Sequence, residues 1–368
     1  MENDIIKARE SIKEADRQIA KYFEQRMKAA ETVAAYKKET GSPIEDKEQE
    51  ARVRERNLGF IENDELKGYF LSLTDCMIEL SKKYQYKLNE GMKIAYNGTQ
   101  GAFAYIAAKR VFPKSLLMPY GSFKDAYNSV VNGDCDIAVL PVENSSAGEV
   151  GQVMDLMYSG ELNVNGVYTL PVTHNLIGTK DSTIDKIDVV ISHPQALAQC
   201  DAFIKQHGLQ TITASSTADA VKYVATENNT HLAAIGSAES AELSGLKVLK
   251  ENINESRENT TRFAVFSPYS ISGNQCRKDG KFILIFTVND KAGALVKALN
   301  VIGEYGFNMQ ALRSRPVKEK AWQYYFYTEI EGDETSPSGI EMLSKLKEQC
   351  ETMKVIGHFI ESGVKDDN

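Results

Sequence analysis

The chain has 368 residues, 42% hydrophobic and 26% charged, with a formal net charge of −8; that length predicts two or three domains, each able to bury a core. No run approaches the ~18 apolar residues of a membrane span, no basic tract suits nucleic acid, and Met1-Glu2-Asn3-Asp4 lacks the layout of a secretory signal. Five scattered cysteines (Cys76, Cys135, Cys200, Cys276, Cys350) and five histidines without metal spacing predict reduced thiols, no metal site and a cytoplasmic protein acting on small molecules.

Residues 1–90 carry 36 charged side chains and only three glycines, the composition of a helical module. Ile5, Ile12, Ile19 and Val33 keep a seven-residue period, with Ala8, Ala15 and Tyr22 between them. This predicts a helix of about 35 residues, ~50 Å long, with a coiled-coil-like seam. It should end near Gly41-Ser42-Pro43, with Pro43 opening a second helix. A third is expected from Asp64 to Tyr86. Three such helices do not close a monomeric core, so a homodimer or dimer of dimers is expected.

Arg26 falls on the seam between Ile19 and Val33, where an unpaired cation is costly. Lys37, 11 residues on, faces the same side. Arg9, 17 residues earlier, is ~25 Å away and reaches such a site only from a partner chain. Three cations suit a small dianion, although spacing alone fits an ion-paired seam as well. Ala8-Arg9-Glu10-Ser11-Ile12, Gln25-Arg26-Met27, Tyr36-Lys37, Pro43-Ile44-Glu45-Asp46 and Glu50, with Ser81 and Gln85 on the last helix, resemble the all-helical chorismate mutase family. The resemblance implies that Arg9 and Arg26 hold the two carboxylates of chorismate. Lys37 and Gln85 would contact the ether oxygen during the pericyclic rearrangement. Glu50 would take the substrate hydroxyl, with Asp46 and Ser81 shaping the pocket. Gln49 stands where that family carries arginine.

Residues 91–275 alternate strands with helices. Lys93–Tyr96, Asp136–Leu140, Asp188–Ser192, Thr211–Ala214, Leu232–Ile235 and Arg262–Phe266 read as buried strands, predicting parallel sheets with ligands at their carboxyl ends. Polar loops leave these strands: Asn97-Gly98-Thr99-Gln100-Gly101, Glu143-Asn144-Ser145, Ser192-His193-Pro194-Gln195 and Ser215-Ser216-Thr217. Glycines between strand and helix let amides approach an anion. Each hydroxyl taken singly reads equally well as a helix cap. With Asn259-Thr260-Thr261-Arg262-Phe263, these loops resemble prephenate dehydratase. The resemblance implies two α/β lobes with the site in their cleft and the last strand returning to the first lobe. It implies loss of CO2 and a ring hydroxyl, with no cofactor. Thr261 would serve the departing hydroxyl, while Asn144, Ser145, Thr217, Arg262 and Phe263 bind substrate or order the loop. Ala102 and Ala104 stand where the family often has hydroxyl residues.

Residues 276–368 read βαββαβ: strand Phe282–Val288, helix Ala294–Tyr305, strands Met309–Pro316 and Trp322–Ile330, helix Gly339–Cys350, strand Val355–Phe359. That order predicts a ferredoxin-like sandwich. Lys291-Ala292-Gly293-Ala294-Leu295-Val296 and Leu312-Arg313-Ser314-Arg315-Pro316 resemble the two phenylalanine-binding motifs of ACT regulatory domains. The resemblance implies that Gly293, Ala294, Leu295, Val296, Ser314, Arg315 and Pro316 bind phenylalanine. Arg313 replaces the glutamate that usually opens the second motif.

The expected architecture is therefore multidomain: an all-α chorismate mutase module (1–90), a two-lobed α/β dehydratase domain (91–270) and an α+β ferredoxin-like ACT domain (278–368). The whole resembles bifunctional chorismate mutase–prephenate dehydratases, which implies conversion of chorismate to prephenate and then phenylpyruvate under phenylalanine feedback. The sequence leaves open a dehydratase with a decayed mutase module, arogenate as substrate, and a non-catalytic two-lobed sensor.

Overall fold

The structure, a computed structural model, describes residues 2–256, 258–270, 280–318 and 322–363. The chain divides into two compact units, residues 1–92 and 93–368. Cys276 and the expected boundary between the second and third modules lie outside the described residues.

The first unit consists of α1 (Glu2–Thr40), α2 (Lys47–Leu58) and α3 (Asp64–Glu90). The first helix is 39 residues long, four more than its periodicity predicts. The expected start of α2 at Pro43 is corrected: Pro43 lies in the connecting loop, and Asp46 caps the helix by accepting from the Gln49 amide. Helices α1 and α3 run along one another, burying Ala30, Ala34 and Ile78. The predicted seam of α1 is exposed, with Ile12 at 60% and Ile19 at 59%.

The second unit begins with β1 (Lys93–Asn97), α4 (Phe103–Val111), β2 (Leu116–Tyr120), α5 (Phe123–Val131), β3 (Ile137–Asn144), β4 (Gly148–Glu149), α6 (Gly151–Ser159) and β5 (Asn163–Pro171). These form a first lobe in which β1 pairs in parallel with β2 and β3. A second lobe follows: β6 (Asn175–Gly178), β7 (Val189–Ser192), α7 (Pro194–Gln199), α8 (Asp201–Gln206), β8 (Gln210–Thr213), α9 (Thr217–Glu227), β9 (Leu232–Gly236), α10 (Ala238–Leu243) and β10 (Lys247–Lys250). Its sheet order is β10-β6-β9-β7-β8. The chain returns to the first lobe through β11 (Thr260–Ser267), which lies antiparallel between β3 and β5. The expectation of parallel sheets is thus corrected: β11 runs against its neighbours because the chain leaves the first lobe along β5 and must come back. In the second lobe, β6 is antiparallel to both β9 and β10.

The remaining elements are β12 (Lys281–Thr287), α11 (Ala294–Glu304), β13 (Asn308–Pro316), β14 (Tyr324–Glu331), α12 (Pro337–Lys347), β15 (Thr352–Phe359) and β16 (Glu361–Gly363). The sheet order β13-β14-β12-β15 is the predicted sandwich. Strand alternation gives this sheet two buried faces. Phe282, Leu284 and Phe286 pack under α11 and α12. Ile283, Ile285, Tyr325 and Tyr327 join the core of the first lobe. Strand β15 crosses β5 so closely that a Cβ on Gly357 would lie 2.0 Å from the Val164 carbonyl oxygen. Strand β16 then adds to the edge of β5 in parallel.

Candidate active sites

Between the two lobes lies a cavity of about 330 Å³, lined by residues that include Asn144, His174, Gln195, Gln199, Thr217, Asn259, Thr261 and Phe263. Among the described residues, neither lysine nor arginine lines it. Positive potential comes instead from the N-termini of α4 and α9, where Gly98, Ala102, Ser216 and Thr217 meet the cavity. Ala102 offers no capping side chain, so this loop contributes backbone groups, as its sequence predicts. Gly101 makes the close approach possible: it has φ +92° and lies against Ser240 of the second lobe.

Thr261 stands opposite Asn144 in the β11–β3 ladder. Asn144 Nδ2 donates to Thr261 Oγ1 at 2.9 Å and to Asn259 Oδ1 at 2.9 Å. Asn259 Nδ2 donates to Gln199 Oε1 at 3.0 Å, and His174 Nε2 meets the same oxygen at 2.9 Å. An oxygen accepting from both sides places the proton of His174 on Nε2, so Nδ1 presents a lone pair, which has no partner among the described residues. Burial lowers the pKa of His174, with the Gln199 hydrogen bond opposing, which favours the neutral ring. The chain of amides fixes Thr261 as an acceptor toward Asn144, leaving its own proton available to a ligand.

Two sequence assignments are corrected here. Arg262 does not line the cavity: alternate residues of a strand face opposite ways, and it points to the sheet of β12–β15. Its guanidinium bonds both oxygens of Glu329 at 2.9 and 2.8 Å, Glu143 at 3.0 Å and Glu361 at 2.8 Å. Burial lowers the Arg262 pKa, but these carboxylates outweigh it and push it upward. Ser145 lies outside the cavity lining, donating to the Glu258 carbonyl and accepting from the Thr260 amide. His174 and Gln199 were not singled out from sequence, since an isolated His and Gln carry no motif.

In the helical unit, Arg26 donates to Ser81 Oγ and to the Met77 carbonyl, the latter at 2.9 Å. Burial, reinforced by Arg56, lowers its pKa. One turn beyond Ser81, Gln85 is buried with its Oε1 unpartnered. Glu50 meets Lys82 at 3.2 Å and Arg54 at 3.6 Å. Lys37 donates to the Ile44 carbonyl at 2.6 Å, and Asp46 is occupied as the α2 cap. Arg9 is exposed on α1. Since α1 is one unbroken helix, Arg9 stays ~25 Å from Arg26 of its own chain.

In the C-terminal sandwich, Ala294 and Leu295 line a cavity of about 200 Å³ with Tyr324 and Phe326. Gly293 opens α11 with φ +80°, and Val296 is exposed. Ser314 stands opposite Phe326 and Pro316 opposite Tyr324 in the ladder. Arg315 is corrected as a ligand of that cavity: it faces the other way, meeting Asp155 at 3.1 Å and Glu149 at 3.3 Å.

Comparison with known proteins bears on all three regions. Family profiles match residues 8–86 to chorismate mutase type II, 94–270 to prephenate dehydratase and 282–348 to the ACT domain. A bifunctional chorismate mutase/prephenate dehydratase of Enterobacter agglomerans is 30% identical over 97% of this chain and 96% of its own length. Among solved structures, GqqA, described as a novel type of quorum quenching acylase, superposes with a TM-score of 0.69 at 30% identity, over 73% of this chain and 98% of its own. The prephenate dehydratase of Arthrobacter aurescens in complex with L-Phe gives 0.67 at 25% identity, over 73% of this chain and 89% of its own.

Proposed function

The chain belongs to the bifunctional chorismate mutase/prephenate dehydratase family, and from that premise we propose that it rearranges chorismate to prephenate in its helical unit and converts prephenate to phenylpyruvate in its two-lobed cleft, under feedback by phenylalanine. The observation that carries this reading is the Thr261 hydroxyl in the cleft, its oxygen engaged by Asn144 and its proton free.

In the dehydratase step the bond to the ring carboxylate breaks and CO2 departs. The released electron pair completes the aromatic ring and expels the ring hydroxyl as hydroxide, which a proton from solvent converts to water. Thr261 donates a hydrogen bond to that oxygen as negative charge develops on it. A neutral threonine stabilises the leaving group rather than transferring its proton outright. The amides at the starts of α4 and α9, with Thr217, grip the carboxylate that remains. His174 Nδ1, an acceptor only, disfavours a carboxylate and favours a hydroxyl, which orients the substrate in the cavity.

The mutase step needs no proton transfer and no covalent intermediate; positioning and electrostatics suffice. Arg26 and the partner's arginine at position 9 hold the two carboxylates, and Lys37 and Gln85 serve the ether oxygen. Glu50 takes the hydroxyl. This site requires at least a dimer, formed along the exposed seam of α1, which would also cover Ile12 and Ile19. Phenylalanine binds beside Gly293–Val296 and Ser314 and favours a less active arrangement by a coupling free energy of roughly 1–3 kcal/mol. No helix among the described residues is long and apolar enough to cross a membrane, and the reading places the enzyme in the cytoplasm.

The test is direct: supply the purified chain with chorismate, prephenate or arogenate, and follow phenylpyruvate or phenylalanine formation with and without added phenylalanine. Chorismate and prephenate should both be consumed, with phenylalanine slowing the second. Chorismate left intact while prephenate turns over would remove the mutase, and no turnover of any substrate would overturn the enzymatic reading.

A further inference from the structure

Glu143 precedes Asn144 in β3, and Arg262 follows Thr261 in β11. The ladder sets Asn144 opposite Thr261 and Glu143 opposite Arg262, and its register slips between Arg262 and Phe263. Backbone pairing is therefore interrupted one residue past the pair that presents the reactive hydroxyl. On the far side of Asn144, the turn into β4 brings Glu149 opposite Glu143. Like charges facing one another across a ladder push the strands apart unless a cation intervenes.

The cation comes from the regulatory sheet. Arg313 Nη2 lies 2.8 Å from Glu143 Oε1 and its Nε 3.3 Å from Glu149 Oε2, so one guanidinium bridges both carboxylates. Arg262 takes the other oxygen of Glu143 at 3.0 Å and Arg315 the other oxygen of Glu149 at 3.3 Å, so Arg313 is the guanidinium that joins the two carboxylates. Burial alone would raise the pKa of Glu143, and the two guanidiniums outweigh it, holding the carboxyl below its usual range. The turn closed in this way carries Asn144, whose Oδ1 accepts from the amides of Ser146 and Ala147 while its Nδ2 holds Thr261.

We propose that Arg313 is a positioning residue of the dehydratase site: by bridging Glu143 and Glu149 it closes the β3–β4 turn that holds Asn144 against Thr261. This inference rests on the dehydratase reading of the cleft. It gives the departure from glutamate at position 313 a function in the catalytic lobe, separate from the cavity beside Gly293–Val296.

The experiment compares dehydratase kcat and KM in the full chain, with the mutase rate of each sample as the measure of active protein. In Arg313→Gln, Glu143 and Glu149 keep their separate partners Arg262 and Arg315 but lose the cation between them and repel. The kcat should then fall ~10–100-fold with KM little changed, as expected when a reacting group is misplaced. Arg313→Lys should recover most of the loss. Adding Glu149→Gln to Arg313→Gln should also restore kcat, because it removes the repulsion; a merely structural contact would lose more stability with each change. An Arg313→Gln protein with wild-type melting and kcat within about twofold of wild type would overturn the proposal, as would a double variant slower than the single one. Should Arg313→Gln not fold, Glu149→Gln/Arg313→Lys against Arg313→Lys gives the same contrast. Wild-type protein that does not turn over prephenate would instead overturn the dehydratase reading.

Discussion

The helical unit builds its candidate site from ionised side chains on long helices, whereas the cleft of the second unit is lined by amides, hydroxyls and a neutral imidazole. Arg26, Lys37, Glu50 and Lys82 belong to the first; among the described residues the second is lined by neither lysine nor arginine. The chemistries account for the difference. A pericyclic rearrangement of a dianion is served by fixed charges that compact the substrate and polarise one ether bond. In the proposed dehydration, a neutral network engages the oxygen of Thr261 and leaves its hydroxyl proton to the leaving group. The units also differ in how their candidate residues gather: those lining the cleft meet within one chain, while the seam of α1 faces solvent and Arg9 lies ~25 Å from Arg26 of the same chain.

The sharpest break between the units is Thr261→Val, which removes the hydroxyl at nearly constant volume. Prephenate turnover should fall ~10²–10³-fold while chorismate turnover is unchanged; loss of both in a folded variant would refute separate sites. Next, Arg9→Ala and Arg26→Ala should each lower mutase kcat/KM by about 100-fold. Refolding them together should restore about one quarter of wild-type activity, because half the dimers then carry one intact site of two. Heterodimers confirmed by mass yet inactive would show that the site is not shared. The smallest effect concerns His174. Its folded pKa lies below the ordinary ~6.5, so below that pH the unfolded chain binds a proton that the native one does not. Its contribution is present above pH ~6.5 and lost as pH falls toward the folded value, with a slope of at most about 1.4 kcal/mol per pH unit. Denaturant titrations from pH 7 to 5 should show this slope flattened in His174→Gln; equal slopes would mean that the ring is charged in the native cleft.

Residues whose role is periodic or repeated were readable before any coordinates. The seven-residue spacing of α1 and the βαββαβ order follow from pattern, while the placement of Thr261 on a returning strand is what the resemblance to prephenate dehydratase implies. Strand β2 was not anticipated because it is a half-exposed edge strand containing Pro119, which weakens both apolar content and alternation. Arg262 was readable but misassigned: in a strand, Thr261 and Phe263 share one face, so the residue between them faces the other. His174 lies in the connection between β5 and β6 and Gln199 ends α7, 25 residues on, and only folding reveals that they end one amide network. The unpartnered nitrogen of His174 and the unpartnered oxygen of Gln85 are likewise invisible in sequence. A buried polar atom without a partner costs stability, and here each candidate site retains one.

The pairing of β16 with β5 also sets an order of events during synthesis. The helical unit is complete in sequence by residue 92. The sheet of the first lobe receives its last strand only when residues 361–363 have been made. At 5–20 residues per second, roughly 15–55 s separate the two, during which the outer edge of β5 is unpaired and open to strand addition from another nascent chain. A ribosome that stops within the regulatory sandwich thus releases a chain with a helical unit able to fold and a dehydratase lobe whose edge invites aggregation.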